Sequence, residues 1–282
     1  MFNNDDPIRI GDFADLVTRC GHQLVIPFSL ISELIPADNN PITVLRRFTK
    51  IEEDVPHVFF QQRGLPDHEL RQAASEFAHG QPFTPHDPFV ASFHELWGDE
   101  FRNDPIFLMD VDRTIGMRKM STQIELLLQR PEVYHWSGAE AARAVYILEQ
   151  EQIAIIKDTG KAAFQNTTSR WLRRAGIHMT DPQMSSFAVT LRRSPGVSPG
   201  WRLFVEVFDQ LVRNKAYRPV VNDVWDLAHV AMLPYVGAAT LDKGKVELVR
   251  QATQRLRIHD PSCNYDSRTF SSIADFIEAL AK

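Results

Sequence analysis

The stretch that decides the fold runs Asn222-Asp223-Val224-Trp225-Asp226-Leu227-Ala228-His229, then Leu233-Pro234-Tyr235, then Thr240-Leu241-Asp242-Lys243. Asn222 or Asp223 can cap a helix running from Asp223 to Met232. Tyr235 to Leu241 is built of small and β-compatible residues and reads as a strand that stops at Asp242. Lys243 to Arg257 carries apolar residues at helical spacing and reads as an amphipathic helix. Helix, strand, acid and helix in that order is the pattern of an α/β protein.

The N-terminal part repeats the pattern. Ile10, Phe13, Leu16 and Val17 recur at helical spacing, and Gly21 follows as a C-cap. Gln23-Leu24-Val25-Ile26-Pro27 has buried-strand character and ends at the proline, which a central strand does not tolerate. Phe28 to Ile35 resumes helical spacing and carries Glu33. Pro41 to Glu53 is a further amphipathic helix, with Val44, Leu45 and Phe48 inward and Arg46 and Arg47 outward. At the other end, Ile273 to Leu280 closes the chain as a helix.

Between these blocks the chain reads as mostly helical. Helices are expected over Asp67 to Phe77, Met117 to Leu128, Glu140 to Ile156 and Trp201 to Val212, the last started by Pro199. The prolines at 82, 85 and 88, and the run from Ser194 to Pro199, mark loops. The expected organisation is therefore α/β. A small parallel sheet forms from both chain ends, residues 1–64 and 216–282, and a helical insertion occupies residues 65–215.

Composition narrows the function classes. Of 282 residues, 44% are hydrophobic and 24% charged, which fits a soluble globular protein and excludes collagen-like, rod-like and disordered chains. The net charge of −5 does not mark a bulk nucleic-acid binder, so any such contact has to use a local basic face. Cys20 and Cys263 are too few for an all-cysteine zinc site and fit a reducing compartment. The acidic, polar start Met1 to Asp6 is no secretory signal, and the apolar stretch around Leu24 to Ile31 is too short to span a bilayer. A cytoplasmic protein with no membrane partner is expected.

Three acids hold informative positions. Glu33 lies on the helix after the first strand, Asp226 near the start of the helix before the later strand, and Asp242 at that strand's carboxyl end. Ligands of open α/β sheets collect outside the carboxyl ends of strands. Carboxylates gathered there repel one another, and a hard divalent cation, Mg²⁺ or Mn²⁺, neutralises them. Such an ion can support phosphodiester cleavage.

The block Val25-Ile26-Pro27-Phe28-Ser29-Leu30-Ile31-Ser32-Glu33 resembles the second strand and acid-bearing helix of PIN-like nucleases. The block from Asn222 to Lys243 resembles their C-terminal acid motif, with Asp242 following Asp226 by 16 residues. The resemblance implies a metal-dependent endonuclease acting on RNA, similar to larger PIN-like proteins of toxin or phage-defence loci. It assigns Glu33, Asp226 and Asp242 as catalytic metal ligands and Asp223 as a further ligand. The family's first acid sits on an N-terminal strand; no strand is read before Asp12, and Asp5, Asp6 and Asp12 are the acids available there. Gly237 stands where related sequences often carry another acid. A degenerate PIN-like scaffold, binding a protein partner through its helical insertion, is the non-enzymatic alternative.

Other motifs compete. Ile106 to Thr114 is an apolar run followed by Asp110-Val111-Asp112-Arg113-Thr114, similar to the first motif of haloacid-dehalogenase-like phosphotransferases. There Asp110 would be the nucleophile and Asp112 the acid–base group. The helical reading of residues 115–215 argues against the alternating strands that this fold needs. His229, three residues after Asp226, shares its helical face and is a candidate substrate contact, as is Lys243. Arg170, Arg173 and Arg174, with Arg192, Arg193, Arg202, Arg213, Lys215 and Arg218, are candidates for a phosphate-tracking face, with Trp171 and Trp201 interleaved. The two tryptophans read equally as core anchors.

Overall fold

A computed structural model describes residues 10–27, 56–61, 64–90, 131–158 and 162–280. The chain is mixed α/β and mostly helical, with small sheets. It divides into two compact units, the first of residues 1–63, 88–140 and 277–282, the second of residues 64–87 and 141–276.

In the first unit, helix α1 (Ile10–Arg19) ends where expected. Gly21 takes a φ of +66°, a left-handed conformation that costs glycine little, and lets His22 N–H reach Val17 C=O at 3.0 Å. Strand β1 (Leu24–Pro27) pairs in parallel with β2 (His57–Phe60), Leu24 opposite His57 through Pro27 opposite Phe60. Strand β3 (Phe89–Val90) adds to β2 antiparallel. Ile26 and Phe60 are fully buried, and Phe89 meets Phe60 edge to face at 5.5 Å.

The second unit is built on helices. They are α2 (Leu65–Ala78), α3 (Pro131–Lys157, in this unit from residue 141), α4 (Ala163–Arg174), α5 (Asp181–Arg193) and α6 (Pro199–Arg213). Then follow α7 (Val221–Met232), strand β4 (Ala239–Thr240), α8 (Lys243–Leu256), strand β5 (Thr269–Phe270) and α9 (Ile273–Leu280, in this unit to residue 276). Helix α6 is the centre, packing on α2, α7 and α8. Its sequence explains this: Trp201, Leu203, Val205, Val207, Phe208 and Val212 recur along its length, and all are buried. Each large apolar side chain sealed there contributes about 1.5–3 kcal/mol. Trp171 on α4 meets Phe204 edge to face at 5.4 Å, and Trp201 meets Phe164 at 6.0 Å, so both tryptophans are core anchors.

The amphipathic helices α7 and α8 turn Leu227, Val230 and Ala231, and Val249, Ala252 and Leu256, into this core. The expected boundary between residues 215 and 216 therefore falls inside a compact unit, because the C-terminal helices bury their apolar faces on α6. Strands β4 and β5 pair in parallel, Ala239 opposite Thr269, with α8 as the crossover. Among the described residues, β1–β3 and β4–β5 are separate sheets. The single sheet expected from both chain ends is not seen there, since β4 finds its parallel partner locally in β5. No described helix is long and apolar enough to cross a membrane.

Candidate functional site

Strand β4 ends at Thr240, two residues before Asp242, and the helix that carries Asp226 is tied to the helix after Asp242. Leu241 N–H donates to Phe270 C=O at 2.9 Å, prolonging the β4–β5 pairing to the residue before Asp242. Asp242 is the N-cap of α8, and its backbone carbonyl accepts from Lys245 N–H at 2.8 Å and Val246 N–H at 2.9 Å. Its carboxylate makes no capping bond and is exposed. One turn on, the Lys245 ammonium reaches across to α7. Nζ donates to Asp223 Oδ1 at 3.0 Å and to Asp226 Oδ2 at 3.1 Å.

Asp223 and Asp226 are three residues apart and so share a helical face. Asp223 also closes the helix start, where Val220 N–H donates to its Oδ2 at 3.1 Å and one orphan donor is satisfied. All three charged side chains are largely buried, at 12% exposure for Lys245, 14% for Asp223 and 18% for Asp226. Burial works against the ammonium, but the bonds to Asp223 and Asp226 outweigh it and raise the pKa of Lys245. The Tyr217 phenol is buried beside Asp223 without a hydrogen bond of good geometry. Burial and the two neighbouring acids push its pKa up. His229 lies on the same helix; burial holds its imidazole below the ordinary value, and Asp226 pulls the other way. Lys243, the first residue of α8, is exposed.

Among the described residues, no group of three or more His, Cys, Asp or Glu side chains stands ready for a metal ion. The donor set is two carboxylates meeting on one cation. That cation is the Lys245 ammonium, which already neutralises both acids. Glu33, Asp5, Asp6, Asp110 and Asp112 lie outside the described residues. Asp12 is exposed in the first turn of α1.

The arginines divide into core ties and surface charges. Arg170 Nε donates to the buried Glu151 carboxylate at 3.0 Å, and its other nitrogens reach Asp158 at 3.3 Å and Thr167 at 3.1 Å. Arg174 pairs with the same Glu151 at 2.8 Å and lies over the Trp171 ring. These two hold α4 to α3. Arg173, Arg192 and Arg193 are exposed. Arg202 is buried, paired with Glu206 at 2.8 Å and stacked 4.6 Å from the Phe164 ring centre. Its Nε and Nη1 have no hydrogen-bond partner but are sealed from solvent, so no ligand reaches them. Arg213 is tied to Asp209 at 2.8 Å.

A second buried carboxylate is marked by no motif. Glu69 on α2 is 1% exposed and takes four donors. Ser198 Oγ donates at 2.9 Å, Gly200 N–H at 2.9 Å and Trp201 N–H at 2.7 Å, and the Tyr235 hydroxyl completes the set. It caps the N-terminus of α6 from another helix, where the macrodipole favours negative charge. Burial nonetheless raises its pKa, with the four donors pulling down. Gly200 is required for the approach: a Cβ there would lie 2.6 Å from Ala231 C=O and 2.7 Å from Glu69 Oε1. This centre is saturated and sealed, a structural clamp.

Two of the residues at the candidate site, Lys245 and Tyr217, are not singled out by the sequence motifs. Lys245 does carry a signal. It is the third residue of α8, where the helix dipole disfavours a cation, so it needs an acidic partner from elsewhere. No protein family, curated protein or solved structure significantly matches this chain.

Proposed function

We propose that this chain is a metal-dependent endonuclease of PIN-like type acting on RNA, with Asp226, Asp223 and Asp242 as its acidic centre. The observation that carries this reading is the convergence of Asp223 and Asp226 on one cation, beside a helix capped by Asp242 at the carboxyl end of a parallel strand. Asp223 and Asp226 would hold the divalent ion, whose chemistry would be to activate water and offset charge in phosphodiester cleavage. Asp223 and Asp226 supply hard oxygen ligands from a rigid helix start. Asp242 is exposed and makes no capping bond, and the resemblance assigns it as a ligand. Lys243, beside it, and the exposed Arg173, Arg192 and Arg193 supply positive charge for a phosphate backbone.

The test is cleavage of labelled RNA by the full chain in Mn²⁺, Mg²⁺ or chelator. Cleavage that needs the metal and falls at least about a hundredfold in Asp226→Asn and Asp242→Asn supports the reading. Cleavage unchanged in Asp242→Asn rules out its role. A second reading draws on the cation that is present: because Lys245 already neutralises both acids, the chain also suits a PIN-like scaffold without catalysis. Its mark is the absence of metal-dependent cleavage in a chain that folds normally. Asp110 and Asp112, which the phosphatase alternative uses, lie outside the described residues.

A further inference from the structure

We propose that the cavity lined by Arg193, His259, Asp260 and Phe83 binds a nucleoside monophosphate, with Arg193 and His259 holding the phosphate and Phe83 and Asp260 the base. The inference goes beyond the nuclease reading and does not depend on it, although Arg193 enters both.

Three segments far apart in the chain enclose a cavity of about 360 Å³ within the second unit. They are the loop from Phe83 to Pro85, the turn from Arg193 to Val197 at the end of α5, and His259 with Asp260 after α8. That volume lies in the range of small-ligand pockets and is more than a bare phosphate fills. The walls are tied down. Thr84 N–H donates to Glu76 Oε2 at 3.1 Å, and Gln72 Nε2 donates to Thr84 Oγ1 at 2.7 Å and to its carbonyl at 3.0 Å, so the loop is fixed to α2. Asp260 Oδ1 accepts from Ser262 N–H at 2.9 Å and from the Ser262 hydroxyl at 2.6 Å, which fixes the turn after α8.

The groups left over decide the ligand. Among the described residues, the side chains of Arg193, Ser194 and His259 form no hydrogen bond or ion pair. Arg193 thus keeps all its N–H donors, in a planar fork that matches phosphate oxygens. The surroundings are positive: partial burial and the charges of Arg202 and Arg192 hold the His259 imidazole below its ordinary value. Arg202 is itself buried with Glu206 as its one ion pair among the described residues, so its charge is only partly offset. An anion is drawn to that field. The rest of the lining asks for something else. Asp260 Oδ2 takes no donor among the described residues and can accept from an N–H edge. Phe83 adds a half-buried ring on which a base can stack. A bare anion would be repelled by Asp260, and an uncharged base would leave Arg193 unpaired. A phosphate joined to an amino-bearing base satisfies both.

The experiment is calorimetric titration of the full chain with GMP, guanosine and inorganic phosphate, in chelator so that no metal contributes. It covers the wild type, Arg193→Ala, Asp260→Asn and Gly196→Leu. The last fills the cavity from its lining, where a Cβ meets nothing nearer than Asp260 Oδ2 at 4.0 Å. Arg143→Ala, exposed on α3, is the control and is expected to bind as the wild type does. Thermal melts establish which variants are folded. The expected result is saturable GMP binding at least about tenfold tighter than that of guanosine or phosphate. Arg193→Ala and Gly196→Leu each weaken it at least about tenfold, and Asp260→Asn weakens GMP without weakening phosphate. No saturable GMP binding by the wild type up to about 5 mM overturns the inference. So does unchanged affinity in folded Arg193→Ala or Gly196→Leu, or GMP binding no tighter than phosphate. An oligoribonucleotide ending in 5′-phosphoguanosine that displaces GMP identifies the ligand as an RNA terminus; one that does not identifies it as a free nucleotide. RNA cleavage is scored separately. GMP binding without cleavage by any form removes the nuclease reading alone, and metal-dependent cleavage without GMP binding removes this inference alone.

Discussion

Two carboxylate centres of the second unit, Glu69 and the Asp223–Asp226 pair, solve the same problem in opposite ways. Both serve a helix start, and both are removed from most solvent. Glu69 is met by four donors fixed in place, two of them backbone N–H groups of α6. Nothing there can leave without unfolding the helix start. Asp223 and Asp226 are met by one flexible side chain, Lys245, which retains 12% exposure. A charge neutralised by backbone N–H groups is built into the helix start, whereas a charge neutralised by one side chain depends on a single residue of another helix. Burial alone would rank Glu69 first as a functional residue; the identity of its partners removes it from consideration.

The comparison breaks most visibly at Glu69. Glu69→Ala strands three hydrogen-bond donors in the core beside Tyr235 and is expected to cost on the order of 3–4 kcal/mol, measured by chemical denaturation. Gly200→Ala forces a methyl group against Ala231 C=O and Glu69 and is expected to cost about 2 kcal/mol. A loss under half of that in either variant would mean the clamp is looser than the distances indicate.

At the other centre, stability moves less and chemistry moves a great deal. Asp226→Asn leaves Lys245 paired with Asp223 and is expected to cost about 1–2 kcal/mol, less than Glu69→Ala. Metal-dependent cleavage falls at least about a hundredfold in the same variant. The smallest effect concerns His229. Its folded pKa is depressed, so the folded state binds fewer protons than the unfolded state below the ordinary value of 6.5. Stability is then full above that pH and declines as pH falls through the window beneath it. Denaturation midpoints of His229→Gln between about pH 7 and 5 should show a shallower decline than the wild type. An identical slope assigns the acid sensitivity to other groups.

Much of the second unit is legible because its helices announce themselves by spacing and punctuation. Pro199 before Trp201, and the turn from Leu241 to Asp242 to Lys243, fall where the structure puts helix starts. Helix α5 is also open to reading, since Thr180 and Gln183 form a capping box with Pro182 between them. Strand β2 offers less, an apolar run of only three residues after His57. The strand expected over Tyr235 to Leu241 shrinks to Ala239–Thr240, because Leu233–Tyr235 forms a 3₁₀ turn that sends the Tyr235 hydroxyl to Glu69. At the candidate site the acids are visible in the sequence and their partner is not. The pairing joins residues 19 and 22 positions apart on different helices, and no local pattern encodes it. The helices expected over Phe28 to Ile35, Pro41 to Glu53 and Met117 to Leu128, with Glu33, lie outside the described residues.

The most direct measurement is an anomalous difference map from crystals of the full chain soaked in Mn²⁺. The account predicts a peak at Asp223 and Asp226. Lys245 still bonded to both acids, with no Mn²⁺ between them at a concentration that saturates binding in solution, would contradict it.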